Sequence, residues 1–312
     1  MDLSIALRRA ALRDHPRSHA PRGFRCPDPV RAIGPLDPNY PSALHGPVLR
    51  PPPKALFVRG TGPLPSPSRC VALIGARRCT EHGRSIARDL AAGLSRGGIV
   101  VVSGLALGID AAAHAGALDA GGRTLAVLAS SVDEPTPRAN RRLGEEIVTD
   151  GGWLVSERAP AAAVRASEFP RRNRLVVALC SAVIVVEAGL PSGTLGTVAL
   201  ALAAGLEVGV VPGSILSPAS RGANALLRAG ALPITGVDDA LALVGRARAV
   251  AALEDPDEAA VLRGAPGASG PATQWLNASG LPHERARSAL LRLVAKGALK
   301  RDGPGSYART LR

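Results

Sequence analysis

Residues 71–129 read VALIGARRCTEHGRSIARDLAAGLSRGGIVVVSGLALGIDAAAHAGALDAGGRTLAVLA. VALIG (71–75) is a short apolar run with the signature of a buried strand, and residues 76–82 form a polar loop. A helix follows from Gly83, with Ile86, Leu90 and Leu94 recurring at helical spacing, and Gly97 and Gly98 end it. IVVV (99–102) is a second strand; SGLALGID (103–110) leads into another helix, and TLAVL (124–128) is a third strand. Apolar strand, small-residue loop and helix, repeated, spell a doubly wound α/β fold whose mostly parallel sheet carries helices on both faces. The loops after the first two strands then lie at the carboxyl edge of the sheet, where such folds bind ligands.

The pattern continues outward. Helices are expected at 140–150, 192–204, 222–229 and 238–244, with a loop and helix over 169–180. Strands are expected at 153–155, 182–187 and 208–211, with a short edge strand near Ile234. ALFV (55–58) reads as a lead-in strand, so about seven strands alternate with helices. Residues 1–37 form a basic, Pro-rich arm, compatible with a transit peptide or with disorder. The α/β domain spans 38–245, and an Ala-, Gly- and Pro-rich linker with room for a helix near 257–262 spans 246–271. Residues 272–312 hold two short helices and a hairpin turning at 302–305, the outline of a winged helix. Eight basic residues there (Arg285, Arg287, Arg292, Lys296, Lys300, Arg301, Arg309, Arg312) face two acids, Glu284 and Asp302. Nucleic-acid contact and protein docking are both open to such a unit.

The 312 residues carry 38 Lys and Arg against 25 Asp and Glu, a net charge of +13 that favours a polyanionic partner; an Arg-rich proteome is the other source of such a charge. Aromatic residues make up 2% of the chain, so a base-stacking platform must use very few side chains. Cys26, Cys70, Cys79 and Cys180 are scattered and form no C-x-x-C pair, which fits a reducing cytoplasm and argues against a zinc site. No long uninterrupted apolar run calls for a membrane span. A P-loop, a G-x-G-x-x-G after the first strand, a paired-His helix and a G-x-S-x-G elbow are all missing, so neither cofactor nor metal is expected.

What remains suits phosphate and bases. Arg77 directly follows the first strand, and Gly75 with the small Ala76 lets backbone amides approach an anion. Ser103 and Gly104 repeat that arrangement after the second strand. FPRRNR (169–174) gathers Phe169, three Arg residues and Asn173, able to stack on a base, position it and pair with phosphate; a solvated basic helix start is the plainer alternative. Glu187 ends a very apolar strand, where it accepts from a base amino group or orients Arg174. Ser192 and Gly193 open a helix, another amide array. His114 follows Asp110 by four residues on one helix face, either an acid–base dyad or a structural contact.

The order of IGARRCTEHG (74–83), SGLALGIDAAAH (103–114), PRAN (137–140), FPRRNR (169–174), VVEAGLPSGTLGTVALALA (185–203), VPG (211–213) and RGANALLRAGA (221–231) resembles the DNA-processing protein A family, also called Smf (DprA/Smf), over about residues 38–245. The resemblance implies an extended Rossmann-like domain that binds single-stranded DNA, dimerises and loads RecA recombinase onto incoming DNA in natural transformation, often with a C-terminal winged helix. It implies a DNA pocket of Arg77, Ser103, Gly104, Phe169, Arg172, Asn173, Arg174, Ser192 and Gly193. Gly75, Gly108, Asp110, His114, Asn140, Glu187 and Gly213 support it. His82 stands for a usual Tyr and Ala76 for a usual Ser or Thr, thinning the loop's contacts while keeping Arg77, and the family's N-terminal accessory domain is shortened to an arm. A general DNA-repair accessory is a second reading. A nucleoside-monophosphate phosphoribohydrolase is a third, but its P-G-G-x-G-T-x-x-E motif is altered in PSGTLGTVAL (191–200), with Leu200 where the acid–base Glu would stand.

Overall fold

The computed structural model describes residues 30–45, 49, 51–162, 164–251, 255–264, 269–296 and 298–309. They form two units that divide between Val244 and Gly245. In the first, a nine-stranded sheet runs β1 (Val30–Ile33), β2 (Leu56–Arg59), β6 (Trp153–Ser156), β5 (Thr124–Leu128), β4 (Val100–Ser103), β3 (Cys70–Ile74), β7 (Ala182–Val185), β8 (Glu207–Val210), β9 (Leu232–Pro233) across its width. From β6 to β9 every pairing is parallel; β2 alone runs against the sheet, antiparallel to both β1 and β6. The central strands are buried on both faces, which is why they read as unbroken apolar runs. Alternate residues serve opposite layers: Leu125 and Val127 of β5 join one core, Ala126 and Leu128 the other.

The helices are α1 (Glu81–Arg96), α2 (Ile109–Asp119), α3 (Arg141–Thr149), α4 (Glu168–Ala178), α5 (Thr194–Ala203), α6 (Arg221–Arg228) and α7 (Val237–Ala251). Side chains of α4, α5 and α6, among them Leu175, Leu195 and Leu226, fill the core on one face. On the other face α3 closes a core through Ile147, and α1 packs on α2 and α7 where glycines admit neighbours. A Cβ on Gly116 would lie 2.3 Å from Arg88 O, and one on Gly93 would lie 2.4 Å from Val237 Cγ1. Strand order reverses at β3: β4, β5 and β6 lie to one side, β7 and β8 to the other. The crevice at the carboxyl ends of these strands is the topological switch point of the fold.

Three boundaries differ from those expected. The sheet begins at Val30, not after residue 37, because β1 pairs with β2 and Arg31 Nη2 donates to Gly62 O at 2.6 Å; the rest of the arm lies outside the described residues. The stretch read as a loop and helix over 169–180 is helical from its first residue, so FPRRNR lies wholly within α4. The stretch taken as a linker supplies α8 (Pro256–Arg263) and β10 (Ser269–Pro271) to the second unit. Val261 and Leu262 of α8 join Trp275 and Leu276 of α9 (Ala272–Ala278) and Leu290 and Leu293 of α10 (His283–Ala295) in that unit's core. β11 (Leu299–Arg301) and β12 (Ser306–Arg309) form the expected hairpin and complete a sheet in the order β10-β12-β11.

Because α8 belongs to this unit, its acids offset the basic excess. Arg285 pairs with Asp257 at 2.7 Å, Arg292 with Asp255 at 2.8 Å and Lys296 with the buried Glu258 at 2.8 Å. Three of the eight basic side chains are thus paired with acids, and a fourth, Arg309, donates from Nη2 to Leu262 O. Among the described residues no helix is long and apolar enough to cross a membrane.

Candidate nucleic-acid interface

A cleft of about 920 Å³ opens at the switch point. Gly75, Ala76, Arg77 and Arg78 enter it from the loop after β3, and Gly104, Ala106 and Asp110 from the segment after β4. α4 contributes Phe169, Arg172 and Asn173; the start of α5 contributes Ser192, Gly193 and Thr194. The helical placement of FPRRNR explains which of its members arrive. Residues i, i+3 and i+4 share a helix face, which brings Phe169, Arg172 and Asn173 together. Arg174, one position on, turns away.

Arg174 therefore does not line the cleft. Its Nη2 donates to Glu157 Oε1 and its Nη1 donates to Pro51 O at 2.9 Å, with both charged side chains close to nine-tenths buried. Arg171 reaches the same carboxylate at 3.7 Å, and Arg158 meets Glu168 at 3.5 Å, so α4 is clamped to the segment after β6 by charge. Burial pushes the Glu157 carboxyl up, and the two arginines draw it back. Tyr40 lies in this cluster, donates to Pro53 O at 2.8 Å and has its hydroxyl pushed up to about 12 by burial and by the Glu157 charge.

Ser103 is the second misplaced residue. It is fully buried, and its Oγ donates to Leu73 O at 2.7 Å, bracing β4 against β3. The amide of Gly104 is also occupied, donating to Asp110 Oδ2 at 3.1 Å. Gly104 serves by its missing side chain: a Cβ there would lie 2.0 Å from Arg172 Nη1, so the guanidinium lies flat on its backbone. Arg172 is 7% exposed, its Nη1 donates to Val127 O, and its Nε has no partner among the described residues. Burial holds its pKa down and nearby Asp110 raises it; for Asp110 the same burial raises the pKa and Arg172 lowers it. Arg77, in contrast, is exposed and faces no carboxylate among the described residues; its Cζ stands 5.0 Å from the centre of the Phe169 ring. Arg78 beside it also lines the cleft; the doubled Arg after the strand was the available signal.

The supporting residues hold the loops. Glu187 does not reach Arg174: it accepts from Thr80 N at 2.9 Å and Thr80 Oγ1 at 2.5 Å, while Thr80 Oγ1 caps α1 by accepting from Gly83 N at 2.9 Å. Gly108 has φ +81°, and a Cβ on it would lie 2.4 Å from Ala76 O, while one on Gly75 would lie 2.7 Å from Ile109 Cγ1, so both glycines let the loops after β3 and β4 touch. Asn140 Nδ2 donates at 2.9 Å to Leu105 O, fixing a residue strained at φ 56°. Gly213 exchanges two hydrogen bonds with the Asn224 amide at 3.1 and 2.9 Å.

His114 and Asp110 form no dyad. His114 Nδ1 lies 2.8 Å from Thr124 Oγ1, which itself donates to Val101 O at 2.6 Å, so the imidazole donates from Nδ1. It is fully buried, and burial together with the Arg172 charge lowers its pKa to about 3. The unfolded chain protonates His114 near 6.5, so this residue's contribution is complete above that pH and is lost as pH falls towards 3. Between pH 7 and 5 it amounts to about 2 kcal/mol. Urea unfolding of the wild type should show that loss, and His114→Asn, which keeps a donor for Thr124, should flatten it; equal slopes would remove His114 from the account.

Among the described residues no group of three or more His, Cys, Asp or Glu could hold a metal ion. The cleft is a cationic groove with one aromatic wall; the rim amides expected to meet an anion are already engaged, Ala76 N with Glu187 O at 2.8 Å, Gly104 N with Asp110 Oδ2 and Thr194 N with Ser192 Oγ at 3.2 Å. Residues 31–245 match the family model of DNA recombination-mediator protein A. The chain belongs to that family. The DNA processing protein DprA of Streptococcus pneumoniae is 41% identical over 172 residues, covering 55% of this chain and 60% of that one. A DprA from Mycobacterium tuberculosis is 46% identical over 177 residues, 57% of this chain and 45% of its own, and Escherichia coli Smf is 39% identical over 171 residues, 55% and 46%. The chain thus spans about half the length of these relatives.

Two solved structures of the family share the fold. S. pneumoniae DprA superposes with a TM-score of 0.62 at 37% identity, covering 69% of this chain and 74% of that one. Helicobacter pylori DprA, studied for its single-stranded DNA binding mode, also gives 0.62, at 31% identity over 70% of this chain and 96% of that one. The Rossmann-like, mostly parallel sheet of this chain is thus the fold it shares with them.

Proposed function

We propose that the cleft binds single-stranded DNA and that the chain is a recombination mediator, protecting incoming DNA and loading RecA onto it in natural transformation, as a homodimer in the cytoplasm. The observation that carries the reading is Arg77. This exposed cation, unneutralised among the described residues, lies over the Phe169 ring at the mouth of a groove that also holds Arg172. A phosphate takes the guanidinium and a base takes the ring. Family membership and the single-strand binding of the H. pylori relative support it. The direct test is RecA filament growth on single-stranded DNA coated with single-strand-binding protein. The chain should shorten the lag, and an unchanged lag would refute the mediator role.

The cleft is also proposed to be non-catalytic. Leu200 lines it where a phosphoribohydrolase needs a carboxylate, and Asp110, the one lining acid among the described residues, is committed to the Gly104 amide. Incubation with AMP should release no adenine above the protein-free control; release at a turnover rate would overturn this assignment. The C-terminal unit is proposed to be a winged helix that docks a protein, since Arg285, Arg292 and Lys296 of its longest helix are spent on α8.

A further inference from the structure

Beyond the cleft, the loop between β8 and α6 carries Ile215 and Leu216, each 87% exposed. Isolated aliphatic side chains in water are ordinary; two adjacent ones on a braced turn are not. The turn is held by Ser217 N donating to Ser214 O at 3.1 Å and Leu216 N donating to Ser214 Oγ at 3.2 Å. At its root the Asn224 amide grips Gly213 on both sides. Pro218 and Ala219, the next residues after Ser217, line the cleft. The neighbouring loop carries Leu190, 37% exposed, ahead of cleft-lining Pro191. Arg221, at the start of α6, is exposed and has no acidic partner among the described residues. One rim of the cleft therefore continues outward as aliphatic surface with a cation behind it.

We propose that Ile215 and Leu216 form an apolar lip on which nucleobases of a single strand rest as it leaves the cleft, with Arg221 meeting its phosphates. The inference rests on the single-strand reading of the cleft. The aromatic inventory of the described residues argues for this occupant: Tyr40, Trp153, Trp275 and Tyr307 are buried, Phe57 packs against the sheet's core and Phe169 is inside the cleft, which leaves aliphatic carbon for bases beyond it. A second copy of the chain is a poor occupant, because two side chains fall far short of the ~800 Å² per partner that a stable dimer buries.

The test compares the full-length wild type with the double variant I215S/L216S on labelled oligo-dT of about six and about twenty nucleotides, by fluorescence anisotropy. The short probe fills only the cleft and should bind both proteins alike. The long probe should bind the variant about tenfold more weakly, with the salt dependence unchanged because the lost contact is uncharged. Both positions lie in water, so the variant should melt with the wild type. Equal affinity on the long probe, an equal loss on both probes, or a change in mass by sedimentation would each overturn the lip. Arg77→Ala runs alongside. If it loses affinity on both probes while I215S/L216S loses none, the lip alone is wrong; if it binds both normally, the cleft reading falls and the lip with it.

Discussion

Arg77→Ala is expected to bind oligo-dT about 10- to 100-fold more weakly, a loss of about 1.4–3 kcal/mol, and to unfold at the wild-type temperature. The guanidinium is exposed and stands over the Phe169 ring at 5.0 Å, so its removal strands no buried charge. The remaining affinity should fall less steeply with salt, by about one unit of slope, since one phosphate contact is gone. Anisotropy titrations at two or three salt concentrations, with a thermal melt of the same sample, read all three quantities. Wild-type affinity in the variant would mean that the strand does not cross this edge of the sheet.

Arg174→Ala should fail in the opposite way. Its loss leaves the Glu157 carboxylate nearly buried, with Arg171 at 3.7 Å as its remaining cation, and should cost about 3 kcal/mol, or roughly 6–12 °C in melting temperature. Affinity for oligo-dT then falls only as α4 loosens, because Phe169, Arg172 and Asn173 ride on that helix. Adding Glu157→Gln to Arg174→Ala removes the stranded charge and should recover part of the stability, which no direct DNA contact would predict. A variant that melts like wild type yet loses binding as Arg77→Ala does would restore Arg174 to the DNA site.

The two arginines show where the sequence stops being informative. The cores of β3, β4 and β5 are plain in the chain because strands buried on both faces must be apolar throughout, and the loops after them fall at the switch point for topological reasons. Arg77 is legible because it sits at the end of such a strand. Arg172 and Arg174 look equivalent in FPRRNR; only the helix phase separates them, and that phase is fixed only by Glu168 starting α4. The partner of Arg174 lies 17 residues upstream, a distance that no local pattern encodes. Ser103 misleads for a similar reason. A Ser at a strand end offers either its amide to an anion or its hydroxyl to a neighbouring strand, and burial against Leu73 decides for the latter. The acids of α8 were visible in the chain, but their pairing with Arg285, Arg292 and Lys296 depends on packing between separate helices.

The cleft of about 920 Å³, rimmed by loops and walled by one ring, suits the unstacked bases of the proposed single strand. A single titration, with one labelled oligo-dT and one duplex of equal length against the full chain at fixed salt, asks whether the protein uses it. The single strand should bind at least about tenfold tighter than the duplex; equal affinity for the two would contradict the cleft as the DNA site.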